Sequence, residues 1–281
     1  MKTKWMNFYE GRKIVGNLNL SSKRNWHRYM SQSRINNLPT NPDRVYDEWV
    51  NWGDWLGIEN VIGSKHKYHF NCDFFSKWSF DMAYVLGFWF ADGCICKKVF
   101  TTSQHKAEKY LLENILSVME SDYPISSAGG NGNVLKIAMF SDKIVRDIKN
   151  LGGKERKSFD VKFPSVPKKY LPDFIRGLWD GDGCIFYNKK DRSYESHYVS
   201  ASEKFIIGLR NALRREIHGL VGGKKRERNI KNGKAYYLNF YKNDTCKIGR
   251  FIYGGNSKLR MKRKQDKFMD AMEISKPKEK K

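Results

Sequence analysis

Several features typical of secreted and membrane-spanning proteins are missing from this 281-residue chain. The five cysteines include no CxxC pair, and the six histidines do not stand near them at zinc-ligand spacing, which disfavours a disulfide framework and a structural zinc site. No stretch approaches the ~20 apolar residues that cross a bilayer. The N-terminal segment MKTKWMNFYEGRK has no apolar signal region. We therefore expect an intracellular protein with reduced thiols and no membrane partner.

Acidic residues are scarce relative to basic ones. Lys and Arg number 53 against 30 Asp and Glu, so the formal net charge is +23. Such a charge attracts polyanions, and phosphate neutralisation by Lys and Arg supplies most non-specific affinity for nucleic acid. Nucleic acid is therefore the first candidate partner, with a ribosomal-type RNA binder and a membrane-surface protein as alternatives. A hydrophobic content of 40% is enough for one or two folded domains.

The first 62 residues differ from the rest and predict a helical, Trp-rich accessory module. Trp49, Trp52 and Trp55 recur at every third position, and large aromatic residues at this spacing usually form a small core. The stretch from Glu10 to Gly57 resembles a short repeat unit of some phage-integrase-like and algal proteins. That resemblance implies an accessory helical module that touches DNA.

From about Ser76 onward the chain is duplicated. Two apolar helical segments, FDMAYVLGFWFADG and LPDFIRGLWDGDG, each run into Cys-Ile and a strand-like stretch. An amphipathic helix, an Asn-Gly turn (Asn131-Gly132 or Asn232-Gly233) between strand-like segments and a last helix follow in each copy. The order predicts an α+β fold of two α-ββ-α-ββ-α halves related by pseudo-two-fold symmetry, at 75–158 and 159–270, with a disordered basic tail at 271–281.

Both apolar helices carry a stripe of small residues. Gly87 and Ala91 are four apart in the first helix, and Gly177 and Gly181 are four apart in the second, so each pair lies on one helix face. Small residues on one face allow two helix backbones to approach closely. We expect the two helices to pack against each other at the centre of the duplicated body.

An aspartate closes each of these helices. Asp92 and Asp182 fall in the last turns, followed by Gly93 and Gly183 as expected C-terminal caps. A carboxylate at a helix C-terminus is unfavourable, and two brought together repel each other, so folding does not explain them. Hard cations such as Mg²⁺ take one or two carboxylates together with phosphate and water. A single Asp-Gly is usually a turn, but two copies in the same context predict a functional pair.

The two segments resemble the paired motifs of LAGLIDADG homing endonucleases, in the single-chain form with two motifs. Val85–Gly93 and Ile175–Gly183 fill the nine motif positions, and the resemblance covers roughly Phe75 to Phe268. It implies a monomeric, site-specific double-strand DNA endonuclease that uses Mg²⁺ or Mn²⁺ at a long asymmetric target and serves intron mobility. It assigns the metal and the scissile phosphates to Asp92 and Asp182, with the backbone carbonyls of Ala91 and Gly181 as further metal ligands.

The same resemblance implies further site residues. Gln104, Lys154 and, less directly, Lys262 are the implied additional catalytic groups. At the sixth motif position, where the family often has Asp, the second copy keeps Asp180 and the first has Phe90. That position is mainly structural in the family, so the difference does not imply loss of activity.

The strands that follow the motifs are expected to read DNA in the major groove. The first hairpin is shorter than the second, which predicts unequal DNA half-sites. The candidate contact residues of the first half are Lys97, Lys98, Thr101, Ser103, Ser127, Asn131 and Asn133. Those of the second half are Tyr187, Lys189, Arg192, Tyr194, His197, Lys225, Arg226, Arg228, Lys234 and Tyr236. Any one of these is also compatible with a solvated strand face or a plain phosphate contact.

Two other functions remain open on the sequence alone. The first is an RNA-binding maturase that assists splicing of its own intron RNA. The second is a DNA-binding regulator that kept the fold and lost cleavage, which the retention of both Asp92 and Asp182 disfavours.

Overall fold

The computed structural model describes residues 5–57, 68–129, 132–231 and 233–275. The chain divides into two compact units, Met1–His69 and Phe70–Lys281. Across these ranges, no helix is both long and apolar enough to cross a bilayer. The Asn residues of both expected Asn-Gly turns, Asn131 and Asn232, lie outside the described residues.

The first unit contains three short helices around a tryptophan core. They are α1 (Phe8–Gly16), α2 (Lys23–Gln32) and α3 (Trp52–Leu56). Trp26 and Trp55 are fully buried with their rings in edge contact at 5.9 Å between centroids. Trp49 and Trp52 are only half-buried and pack at the rim of this core. The every-third spacing therefore identified one core tryptophan, and the other comes from α2.

The second unit consists of two repeated halves, which confirms the α+β fold class. The first half comprises α4 (Phe80–Asp92), β1 (Gly93–Cys96), β2 (Val99–His105), α5 (Lys109–Val118), β3 (Ser126–Ser127), β4 (Val134–Phe140) and α6 (Asp142–Asn150). The second half comprises α7 (Leu171–Asp182), β5 (Gly183–Asn188), β6 (Ser193–Ser200), α8 (Glu203–Glu216), β7 (Lys224–Ile230), β8 (Gly233–Tyr241), α9 (Asn243–Tyr253) and α10 (Lys262–Ile274).

Each half forms one antiparallel four-stranded sheet. The strand orders are β1-β2-β4-β3 and β5-β6-β8-β7, so the topology repeats strand for strand. On the helix-facing side, the side chains of Ile95, Phe100, Ile137 and Met139 are buried in the first half. Because side chains alternate along a strand, the other face of each sheet is left open.

Helices α4 and α7 pack against each other along their small residues. A Cβ added to Gly87 would lie 2.0 Å from the carbonyl oxygen of Phe174. A Cβ added to Gly177 would lie 2.1 Å from that of Tyr84. Since backbone atoms cannot move away as a side chain can, only glycine fits at these two positions.

The ends of the halves differ from the sequence-based expectation. β3 has only two residues, so the second hairpin of the first half is much shorter than its counterpart β7–β8. The helix α10 was not predicted as a separate element, and it continues to Ile274. Residues 271–274, predicted as part of a disordered tail, are therefore helical, whereas residues 276–281 lie outside the described part of the chain.

Candidate active site

Asp92 and Asp182 are the last residues of α4 and α7, and a strand begins at the very next residue of each. Gly93 and Gly183 occupy the C-cap positions, but their φ angles of −108° and −77° are extended, whereas a typical glycine cap is left-handed. The reason for glycine is space. An added Cβ would lie 2.1 Å from Trp89 Cδ1 at Gly93 and 2.5 Å from Trp179 Cδ1 at Gly183.

The two helix ends meet, which brings the carboxylates together. A Cβ added to Gly181 would lie 2.3 Å from the Cβ of Ala91 and 3.3 Å from Asp92 Oδ2. Burial, together with the negative charge of Asp92, raises the pKa of Asp182 to about 6. Burial also raises the pKa of Asp92, although neighbouring lysines and Gln104 oppose the increase. The folded chain thus holds two half-buried acids in mutual repulsion, as the sequence-based argument required.

Gln104 lies beside the first aspartate. It is on the helix-facing side of β2, and its Nε2 donates a hydrogen bond of 3.2 Å to Asp92 Oδ2. The strand register gives Ser200 the equivalent position in the second half, since Cys94 pairs with Thr101 as Cys184 pairs with His197. Ser200 lines a pocket together with Asp182. The two acids therefore have different polar neighbours, an amide and a hydroxyl.

Two lysines that the sequence analysis did not choose lie at the helix ends. Lys157 Nζ donates to the carbonyl oxygens of Phe90 at 2.6 Å and Ala91 at 3.2 Å. Lys264 Nζ lies within 2.6–3.2 Å of four carbonyl oxygens at the end of α7, those of Trp179, Asp180, Gly181 and Gly183. A cation at a helix C-terminus is stabilised by the helix dipole. These lysines therefore offset the unfavourable placement of the two carboxylates.

The predicted lysines are elsewhere, which corrects the sequence-based assignment. Lys154 Nζ pairs with Asp160 at 2.6 Å on the surface, and Lys262 Nζ lies 5.3 Å from the centre of the Tyr110 ring. Neither makes a hydrogen bond to the helix ends among the contacts of the described residues. The sequence placed the right segments at the site but gave no basis for choosing among the several basic residues in each.

The two lysines act on the aspartates across the halves. Burial lowers the pKa of Lys157, and Asp182 is the carboxylate that most opposes this decrease. Burial lowers the pKa of Lys264 to about 8, whereas for Asp92 it is Lys264 that most opposes the increase in the pKa. Each lysine therefore holds the helix of its own half, and both lysines stabilise the charges of the two aspartates.

The side chain of Asp180 supports this arrangement through hydrogen bonds to two other parts of the chain. Its Oδ2 accepts hydrogen bonds from Tyr84 Oη at 2.7 Å and from the backbone N–H of Met261 at 2.8 Å. Tyr84 belongs to the first half and Met261 precedes α10, so Asp180 joins the halves and holds the helix that carries Lys264. Phe90, the counterpart of Asp180 in the first half, packs as a core aromatic residue with its ring centroid 5.9 Å from that of Phe205. Burial raises the pKa of Asp180 to about 6.

The open faces of the two sheets begin next to the aspartates. By strand register, the first open face consists of Cys94, Cys96, Val99, Thr101, Ser103, His105, Ser126, Val134, Lys136, Ala138 and Phe140. The second open face consists of Cys184, Phe186, Asn188, Ser193, Glu195, His197, Val199, Lys224, Arg226, Arg228, Ile230, Gly233, Ala235, Tyr237, Asn239 and Tyr241. Both faces are continuous with the helix ends, since β1 and β5 start there.

The register places only part of the predicted DNA-contact set on these faces. Thr101, Ser103, His197, Arg226 and Arg228 are on the open faces, and Lys97, Lys98, Lys189 and Arg192 lie in the hairpin turns. The remaining second-half candidates share the strand side that faces the helices: Tyr187, Tyr194, Lys225, Lys234 and Tyr236. Of the first-half candidates, Ser127 pairs with Leu135, Asn133 lies just before β4, and Asn131 is outside the described residues.

Contacts of two of these five candidates show which way their side chains turn. Tyr194 Oη donates to Asp270 of α10, and Lys225 pairs with Glu203 of α8, so both side chains turn toward helices. Period-two alternation identifies two faces, but it does not say which of them the helices cover. The open-face positions that the sequence analysis missed include Lys224, Tyr237 and Asn239.

Comparison with known proteins identifies one part of the chain. Residues 170–263 match a family model described as a LAGLIDADG-like domain. This part of the second half is therefore similar to a LAGLIDADG-like domain. The predicted motif Ile175–Gly183 lies inside the matched range, and the structure repeats the same element order in the first half.

Similar proteins include a curated relative and several solved structures. The chain is 28% identical over 167 residues to a probable translation initiation factor IF-2 of Methanocaldococcus jannaschii, a match over 56% of this chain but only 13% of that protein. Among solved structures, the homing endonuclease I-WcaI bound to its DNA recognition sequence is 14% identical, with a TM-score of 0.47 over 69% of this chain and 90% of that one. Full-length DUF199/WhiA from Thermatoga maritima is 17% identical, with a TM-score of 0.42 over 71% and 64%.

The paired ends of α4 and α7 present a small set of oxygen donors. Within the described ranges, no group of three or more His, Cys, Asp or Glu side chains is arranged to hold a metal ion. The available donors are the carboxylates of Asp92 and Asp182 and the backbone carbonyls of Ala91 and Gly181. Each of the two carbonyls already accepts a hydrogen bond from a lysine at 3.2 Å. Two carboxylates with raised pKa values suit a hard cation that takes its other ligands from phosphate and water.

Proposed function

We propose that this protein is a site-specific double-strand DNA endonuclease that requires a divalent metal ion, Mg²⁺ or Mn²⁺. One observation carries the proposal: two half-buried aspartates from repeated helices lie together, at helix ends that Lys157 and Lys264 hold by hydrogen bonds. Folding alone does not favour like charges at two helix C-termini. A duplicated acidic site suits a substrate with two antiparallel strands, because each acid can serve one phosphate.

The division of labour follows from the contacts. Asp92 and Asp182 would hold the metal, which supplies a water activated for attack and stabilises the leaving oxygen of a phosphodiester. Gln104 orients the Asp92 carboxylate through its hydrogen bond to Oδ2. Lys157 and Lys264 fix the helix ends and place positive charge beside the phosphates, where negative charge develops during cleavage.

The binding surface supports DNA as the substrate. The second open face carries Lys224, Arg226 and Arg228 on one edge strand, with Tyr237 and Asn239 on its neighbour. Cations anchor phosphates, and amide and phenol groups read base edges in the major groove. The net charge of +23 adds a long-range attraction to any nucleic acid.

A plasmid assay tests the proposal. The substrate carries the sequence formed by joining the DNA that flanks the gene on its two sides. We expect one double-strand break per plasmid with Mg²⁺ and none with EDTA. A plasmid with a scrambled insert is the matched control and should stay intact. If the protein never cuts this substrate but accelerates splicing of its own intron RNA, the endonuclease proposal is wrong and the maturase is the better function.

A further inference from the structure

The two open faces differ in chemistry although they share one topology. The first open face carries a single Lys or Arg, Lys136, among its eleven strand positions. Apart from His105, its other side chains are small or apolar, including Val99, Ala138 and Phe140, the last with 44% of its surface exposed. The second open face carries three cations on β7 alone, Lys224, Arg226 and Arg228.

Polar groups on the first open face are partly used inside the protein. The Thr101 hydroxyl donates to the Cys94 carbonyl oxygen at 3.0 Å and lies 2.8 Å from the Cys94 thiol. His105 Nδ1 accepts from the backbone N–H of Ala107 at 3.3 Å. Because these groups already have partners, what Thr101 offers a ligand is chiefly its methyl group. The face therefore presents apolar contacts where its counterpart presents hydrogen-bond donors.

The apolar positions form ordered rows. Strand register aligns Cys94, Thr101 and Ala138 in one row, and Cys96, Val99 and Phe140 in the next. Successive outward residues of a strand are ~7 Å apart, which is about two base-pair steps along DNA. The rows lead away from Asp92, so a duplex whose phosphate reaches Asp92 would pass along both.

We propose that the first open face recognises thymine methyl groups, and that this half of the target is read mainly by apolar contact. The inference rests on the proposed function, because the duplex is placed on this face by the aspartate pair. The ligand of this face is DNA, for two reasons. The face is continuous with the aspartates, and it occupies the same position in its half as the cationic second face does in the other. The C5-methyl of thymine is the apolar group on the base edges of the major groove, and Ala, Thr and Phe side chains are suited to it.

Deoxyuridine tests the proposal, because it differs from thymidine only by that methyl group. Target duplexes are first selected from a randomised pool by binding to the full chain in EDTA, so that none is cut. Phosphate-ethylation interference with wild type and Arg226→Gln then assigns the half-site that the second open face contacts. Thymines are next replaced by deoxyuridine in one half-site at a time. Each contacted methyl removed from the first half-site should weaken binding about fourfold.

The same replacements in the other half-site should change binding less than twofold. A matched pair of variants sharpens the test. Phe140 and Tyr241 hold equivalent register positions, opposite Val99 and Glu195, and are exposed to 44% and 45%. Phe140→Ser should remove the deoxyuridine effect at its thymine, whereas Tyr241→Ser should leave the first half-site response unchanged. The readout is a ratio of affinities for two DNAs within each variant, so a general loss of folding cancels.

Failure of this inference is distinct from failure of the proposed function. If a target is selected and cut, but deoxyuridine in the first half-site changes binding less than twofold, the methyl readout is wrong and the endonuclease stands. The same holds if Phe140→Ser keeps the full deoxyuridine effect. If no duplex sequence is enriched, the proposed function fails and the inference fails with it.

Discussion

Asp92 and Asp182 are equivalent positions of one repeat, yet their surroundings differ. Asp92 accepts a hydrogen bond from Gln104, while Asp182 lies beside Ser200 and has its pKa raised to about 6 by burial and by Asp92. Lys157 reaches the end of α4 from an irregular segment, whereas Lys264 reaches the end of α7 from helix α10. The open faces beside them also differ, one apolar and one cationic.

The difference shows which parts of a duplicated fold are free to diverge. Some residues that touch both halves have stayed alike, namely Gly87, Gly177 and the two aspartates. Asp180 also joins the halves, but its counterpart is Phe90. Residues that serve only one half have diverged, as in the open faces. A change at the helix contact disturbs both halves at once, whereas a change on one sheet affects one half of a bound duplex.

Removal of either carboxylate is the largest expected effect. Asp92→Asn and Asp182→Asn should each reduce double-strand cutting by on the order of 100-fold or more, because each removes an oxygen ligand and a negative charge from the pair. Cutting is measured on the plasmid substrate at saturating Mg²⁺. Asp191→Asn, in the β5–β6 turn, is the control and should cut normally. If either variant cuts both strands at the wild-type rate, the paired-site assignment is wrong.

Alanine at the helix contact tests whether the halves share one interface. Gly87→Ala and Gly177→Ala should each lower the free energy of unfolding by about 3 kcal/mol or more, because the new Cβ meets a backbone carbonyl. Urea denaturation measures the loss. Gly16→Ala in α1 has its nearest neighbour at 3.6 Å and is the control. Equal tolerance of all three variants would mean that α4 and α7 do not pack as closely as described.

Neutral variants of Lys157 and Lys264 compare the two lysines that hold the helix ends. Lys157→Met and Lys264→Met should each reduce cutting by on the order of 100-fold, since each removes a cation beside a phosphate. Lys264→Met should also destabilise the fold more, because its amino group serves four carbonyl oxygens and that of Lys157 serves two. Lys154→Met and Lys262→Met are the controls. A larger loss of cutting in Lys154→Met than in Lys157→Met, or in Lys262→Met than in Lys264→Met, would restore the sequence-based assignment of the catalytic lysines.

Repulsion between Asp92 and Asp182 should lower the free energy of unfolding when no metal is bound. The pKa of Asp182 is raised in the folded state, so the folded protein binds more protons than the unfolded one between pH 3.8 and about 6. Stability should therefore fall as pH rises through that window. Asp182→Asn should raise the free energy of unfolding in EDTA at pH 7 by about 1–2 kcal/mol, and the gain should vanish near pH 3.5.

The exposed acid Asp266 in α10 provides the comparison for that measurement. Asp266→Asn should change the free energy of unfolding at pH 7 by less than about 0.5 kcal/mol. A stabilisation by Asp182→Asn that persists at pH 3.5 would show that the raised pKa is not its cause.

Salt dependence gives the smallest effect and separates the two sheets. Arg226→Gln should reduce the slope of log binding constant against log salt concentration by about 1 through loss of one phosphate contact. Lys136→Gln tests the one cation of the first open face in the same way. Lys234→Gln is the control, because Lys234 faces the helix side and pairs with Glu227 at 2.7 Å. A change of slope in Lys234→Gln would contradict the assignment of the faces.

Much of the fold could be predicted because the same sequence pattern occurs twice in the chain. The repeat of Asp-Gly-Cys-Ile after two small-residue stripes identified α4, α7 and their contact. Gln104, which the family resemblance implied as a site residue, donates a hydrogen bond to Asp92 Oδ2. Local periodicity, repeated, is enough for such features.

Other features depend on long-range contacts. The choice of Lys157 over Lys154 and of Lys264 over Lys262 depends on how a segment crosses the ends of α4 and α7. The face that each strand turns outward depends on where α5, α8 and α10 pack, which explains why Tyr194 and Lys225 were misassigned.

The sequence by itself determined that two helices with small-residue stripes end in carboxylates and that the protein is strongly cationic. Spacing along the chain is sufficient for those properties. Only the tertiary structure decided which lysines hold the helix ends, that both stabilise the aspartate pair, and that the two open faces differ in chemistry. These properties arise from residues far apart in the chain, and their contacts follow from how the repeated halves pack rather than from local sequence.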